Sequence, residues 1–168
     1  DPGALERLRV SLHRVSQLNH PGIPPILGSG TIQGRPYIVM PYLGAGSLAN
    51  RYASGLAWAL NPGQLLDEVS SVLDHAHKHG VMHGDLKPTS VLFDEESGSI
   101  RLVGLGEAVG QSSPSEATPR TPTQGTSYQA PELRPGYPPT PLSDQYSFGI
   151  LALELLTRKP AGQALGLL

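Results

Sequence analysis

Between residues 4 and 19 apolar side chains recur at Leu5, Leu8, Leu12, Val15 and Leu18. That three-or-four spacing predicts a helix with one buried face. Pro21, Pro24 and Pro25 end it. Ile26-Leu27 and Tyr37-Ile38-Val39-Met40 then read as two short strands around a turn containing Gly34. A longer helix is predicted from about Pro62 to His79, with Asn61 as cap and Pro62 in its first turn. Its apolar face is Leu65, Leu66, Val69, Val72, Leu73 and Ala76, and Gly80 is suited to stop it in a left-handed conformation. Val91-Leu92-Phe93 and Ile100-Arg101-Leu102-Val103 predict a hairpin around Ser97-Gly98. Asp144 to Leu156 is apolar on nearly all sides, which predicts a helix in the middle of a domain. From Gly110 to Gln124, Ser, Thr and Pro dominate; such a stretch buries too little surface to offset its ordering entropy and reads as mobile.

Composition narrows the class without naming it. The 168 residues suit one domain with a real core. A net charge of −2 leaves no electrostatic footprint for nucleic acid or acidic membranes. There is no cysteine, so disulfides and thiolate metal sites are excluded. No apolar run reaches the roughly 18 residues of a membrane span, and nothing resembles a signal peptide. These features suggest a cytoplasmic segment with no membrane contact of its own. The start at Asp1-Pro2-Gly3 suggests a piece of a longer protein.

The chemistry sits in His83-Gly84-Asp85-Leu86-Lys87-Pro88-Thr89-Ser90. Downstream come Val103-Gly104-Leu105-Gly106, Gly125-Thr126, Ala130-Pro131-Glu132 and Ser143-Asp144-Gln145-Tyr146-Ser147-Phe148-Gly149. In this order the segments resemble the catalytic loop, metal-binding turn, activation-segment end and following helix of a protein kinase. Leu18-Asn19-His20-Pro21-Gly22-Ile23 resembles the end of that family's helix αC. Further likeness to bacterial-type Ser/Thr kinases lies in Pro36-Tyr37-Ile38-Val39-Met40 and Gly46-Ser47-Leu48.

The resemblance implies an α+β, protein kinase-like fold in truncated form. Residues 1–43 would be a remnant of the N-lobe and hinge, with helix αC and the fourth and fifth strands. Residues 44–168 would be a mostly helical C-lobe, incomplete at its C-terminus, with helices αE and αF, the catalytic loop and the strand hairpin. The glycine-rich loop and its strand lysine would lie before residue 1. Asp85 matches the catalytic aspartate, and Lys87 the lysine that touches the transferred phosphate. Met40 falls at the gatekeeper, Tyr42 and Leu43 at the hinge, and Leu92 beneath the adenine position. Asp144 matches the aspartate that holds the catalytic-loop backbone.

The metal positions depart from the family. Its magnesium-binding asparagine is replaced by Ser90, and the aspartate of its Asp-Phe-Gly turn by Gly104. Magnesium requires oxygen ligands in near-octahedral geometry, and glycine offers none from a side chain. The loop arginine is Gly84, and the αC glutamate falls on Ser11. Losing one preorganised electrostatic group costs on the order of 10²- to 10³-fold in rate. Without a metal Asp85 also repels ATP, since unit charges about 4 Å apart interact by about 4 kcal/mol at an effective dielectric of about 20. Glu107 is the nearby carboxylate that could replace the lost ligand.

Two readings follow. One is a pseudokinase that binds no metal and serves as a regulatory or protein-interaction module, with Asp85 kept for structure. The other is an active Ser/Thr kinase using ATP and Mg at a non-standard metal site to phosphorylate a protein substrate. His75, His77, His79 and His83 invite a zinc reading, but only His75 and His79 share a helix face. The resemblance implies a sufficient role for His83, packed in an apolar column with Leu105.

Overall fold

The computed structural model describes residues 2–33, 35–106, 128–133 and 137–164. Helix α1, Pro2–Ser16, buries Leu12 and Val15. Strand β1, Gly28–Ile32, pairs antiparallel with β2, Arg35–Val39. The first strand thus lies beyond the Ile26-Leu27 run expected to form it. Register is the reason: Gly28 faces Val39 and Gly30 faces Tyr37, so β2's apolar residues are matched by small ones. A Cβ at Gly30 would come within 2.6 Å of the Tyr37 hydroxyl, which only glycine avoids without displacing that ring.

Helix α2, Leu48–Ala53, has no counterpart in the sequence reading. Ser47 and Asn50 start it with a reciprocal capping box, the Asn50 amide donating to Ser47 Oγ and the Ser47 amide to Asn50 Oδ1. A 3₁₀ turn, Leu56–Ala59, leads into α3, Pro62–Lys78. Asn61 caps α3 through the Gln64 amide, and Gly80 follows it in the left-handed conformation, φ 70°. Leu65, Val69, Val72, Leu73 and Ala76 are buried, the larger ones contributing roughly 1.5–3 kcal/mol each. Leu66 is half-buried.

Strands β3, Val91–Phe93, and β4, Ile100–Leu102, form the expected hairpin. Glu68 of α3 accepts the Ile100 amide at 2.8 Å, fastening the hairpin to the helix. Helix α4, Pro141–Thr157, begins three residues before the expected start because Thr140 and Ser143 make a second capping box. Ile150, Leu151 and Leu155 of α4 join the core, whereas Leu142 and Leu156 are 70% and 66% exposed. Its inward face also carries Ser143, Asp144, Ser147 and Glu154, each buried. A short helix α5, Ala161–Ala164, packs back on α4.

One core joins α3, α4, the hairpin and the loop between α3 and β3. Among the described residues no helix is long and apolar enough to cross a membrane. The 110–124 segment and Glu107 lie outside the described residues.

Candidate active site

The loop from Val81 to Ser90 is anchored before it presents any chemistry. Val81, His83 and Leu86 are buried, so Asp85 is held between two fixed neighbours. Asp144, 1% exposed, accepts the amides of His83 at 2.8 Å and Gly84 at 2.7 Å. His77 Nε2 lies 2.8 Å from the same carboxylate. A carboxylate this deeply buried is tolerated because donors surround it. The expectation that Asp144 holds the loop backbone is therefore met in geometry.

Asp85 is partly exposed and paired with Lys87, Nζ to Oδ2 at 2.5 Å. The two retained polar groups face each other. Ser90 is buried, and its hydroxyl donates to the Asp85 carbonyl at 3.3 Å. It braces the loop from inside.

The glycine turn starts where the Val103 amide donates to the Ser90 carbonyl at 2.9 Å. Gly104 has φ +88°, a conformation side chains rarely adopt. Space is not what requires glycine there: a Cβ would meet its nearest atom, His83 Cε1, at 3.5 Å, an ordinary contact. Leu105 is buried, and Gly106, φ +75°, donates its amide to the Met82 carbonyl at 2.9 Å. Burial keeps the His83 imidazole below its ordinary range, against the opposing pull of Asp144 and Asp85. Its Nδ1 accepts the Asp85 amide at 3.3 Å, which suits a neutral ring.

Among the described residues, Gly104 and Ser90 do not supply the oxygen ligands of a magnesium–nucleotide complex. Gly104 supplies no side-chain oxygen, and Ser90 offers only a neutral hydroxyl that donates to the Asp85 carbonyl. Among the described residues no three His, Cys, Asp or Glu side chains converge to hold a metal.

Met40 lines a small cavity with Leu12, Val15, Ile38, Val103 and Gly104, about 30 Å³ open to the centre of a water molecule. That volume admits a water or two. Leu43 and Leu92 are half-buried outside it, and Tyr42 is 93% exposed.

The histidines divide as helical geometry requires. The rings of His75 and His79 lie 4.5 Å apart, with His20 joining His75 at 5.2 Å. His77 turns the other way, to Asp144.

Sequence reasoning missed three long-range ties. His77 reaches Asp144; Ser11 Oγ donates to the Gly106 carbonyl at 2.8 Å; and the Tyr128 hydroxyl donates to Glu154. Burial raises the Glu154 carboxyl above its ordinary value despite the hydroxyls of Tyr128 and Tyr52. Of these residues, motif order places Asp144 and Ser11, and Glu154 stands out as an acid within α4's apolar run; His77 and Tyr128 carry no signal as their partners.

Solved structures place this arrangement in the protein kinase fold. The kinase domain of PknI from Mycobacterium tuberculosis matches with a TM-score of 0.71 and 27% identity, over 95% of this chain and 60% of that one. Residues 5–164 match the protein kinase domain family, and the chain belongs to that family. It is 33% identical over 159 residues to a probable serine/threonine-protein kinase, PknB, of Lactococcus lactis, covering 94% of this chain and 25% of that protein. It is 31% identical over 155 residues to serine/threonine-protein kinase PrkC of Bacillus subtilis, covering 91% and 24%. The chain spans about a quarter of the length of these curated relatives.

Proposed function

We propose that this chain is a catalytically impaired protein kinase domain, a pseudokinase, that serves as a regulatory or protein-interaction module. Gly104 carries the proposal: at the position where the family holds its principal metal ligand there is no side chain. Ser90 adds to it by offering a neutral hydroxyl where the family has a magnesium-binding asparagine. Two lost electrostatic groups, each worth on the order of 10²- to 10³-fold, leave little turnover. Asp85 keeps a structural use as the partner of Lys87. In this reading residues 1–43 form the N-lobe and hinge side and residues 44–168 the C-lobe side, and protein partners take the place of a phosphorylated substrate.

Titration with a fluorescent ATP analogue, with and without magnesium, tests the proposal. The expected result is no magnesium-dependent binding and no magnesium-dependent rise in melting temperature, which a ligand at 100 times its Kd would produce through about 2.7 kcal/mol of stabilisation. Binding that requires magnesium, together with phosphate transfer that disappears in Asp85→Asn, would instead support the active Ser/Thr kinase with a non-standard metal site.

A further inference from the structure

We propose that Ser11 is a latch that keeps α1 docked on the glycine turn whether or not a nucleotide is bound. Ser11 occupies the position where the kinase resemblance places the αC glutamate, and it is too short for a distant ion pair. It is 7% exposed, and its hydroxyl donates to the Gly106 carbonyl at 2.8 Å. Ser16, the other α1 hydroxyl among residues 9–16, stays within its own turn, on the His13 carbonyl.

The seat is fitted as well as bonded. A Cβ at Gly106 would lie 2.3 Å from Ser11 Oγ and 3.1 Å from Val15 Cγ2, so α1 approaches the turn as closely as a bare backbone permits. The turn itself is tied from other sides. Its Gly106 amide goes to Met82, the Val103 amide to Ser90, and the Leu102 amide to the Gly22 carbonyl at 2.8 Å. None of these bonds uses the side chain of Asp85 or Lys87. The seat of α1 is thus held by backbone groups alone.

The latch does not depend on the loss of activity proposed above, since an active enzyme would be held in the same way. Amide hydrogen exchange on the full chain, with and without Mg-ATP, tests it. Removing one buried hydrogen bond in Ser11→Ala should speed exchange roughly five- to tenfold at Gly106 and along residues 9–16. The Leu151 amide, on the far helix, should not change. Ser11→Cys, nearly isosteric with a weaker donor, is expected to give a smaller acceleration at the same amides and serves if the alanine variant unfolds. Mg-ATP should leave α1 protection in the unsubstituted chain unchanged. Unaltered exchange in both variants, equal acceleration at Leu151, or α1 protection that appears only with Mg-ATP would each overturn the latch. ATP binding that leaves protection unchanged would support it while contradicting the impaired reading.

Discussion

The Asp144 carboxylate of α4 accepts the Gly84 amide at 2.7 Å, across sixty residues of chain. The catalytic-like loop is therefore held by a helix as well as by its own bonds through His83 and Ser90. Because His83 and His77 use the same carboxylate, its removal orphans three donors at once.

Asp144→Ala is expected to cost about 3–5 kcal/mol, the scale for breaking a buried charge network by removing one partner. Asp144→Asn, which keeps one acceptor oxygen, should cost less. Urea unfolding of the three proteins checks the order. A loss under about 1 kcal/mol for the alanine variant would mean that the loop holds its own shape.

Restoring oxygens to the metal turn should restore metal-dependent binding. In Gly104→Asp combined with Ser90→Asn, the new Asp Cβ meets nothing nearer than 3.5 Å. Its strain at positive φ is roughly 1–2 kcal/mol, in a region where aspartate is more readily accepted than most residues. Titration of the double variant with a fluorescent ATP analogue should show binding that requires magnesium. Equal, metal-independent behaviour in both proteins would show that the turn was not the limiting defect.

Gly22 is required by close approach: a Cβ there would stand 2.4 Å from Val72 Cγ2. Gly22→Ala is therefore expected to cost about 1–3 kcal/mol through overpacking. Val72→Ala in the same chain should recover part of that loss. A double-mutant cycle with no coupling would place the strain elsewhere.

His20 and His83 make stability fall in acid. Burial, and for His20 also the neighbouring His75, holds both imidazoles below the ordinary value. Each uses Nδ1 as an acceptor, His20 for the Gly22 amide at 3.0 Å and His83 for that of Asp85. The folded chain thus takes up these protons at lower pH than the unfolded chain. Between the unfolded value, about 6.5, and the lower folded values, the unfolded state binds more protons. The stabilisation is complete above that window and declines as pH falls through it. Urea unfolding at steps from pH 7.5 to 5.5 should show this decline, shallower in His20→Asn. A flat profile would contradict it.

Much of the scaffold was legible because period and punctuation agreed. In α3 the apolar spacing, Asn61, Pro62 and Gly80 all give the same answer, and the hairpin was framed by Ser97-Gly98. Helix α2 was missed because its start lies in a hydroxyl–amide exchange between Ser47 and Asn50 within a small-residue run that reads as loop. Strand β1 was misplaced because Gly28, Ser29 and Gly30 have little strand preference and are set by their partners in β2. At the site, Asp85, Lys87, Ser90 and Gly104 stood out by motif order. Where Ser90 turns its hydroxyl, and that Ser11 meets Gly106, depends on side chains that only the folded chain brings together.

In the proposed reading the glycine turn does not grip a divalent cation in a productive site. That reading is tested most directly by following transfer of the labelled γ-phosphate of ATP to protein serine or threonine by the intact protein in magnesium. No transfer above a control in which Asp85 is replaced by Asn is expected. Turnover on the ordinary kinase scale of about 1–100 s⁻¹, abolished by Asp85→Asn, would contradict it.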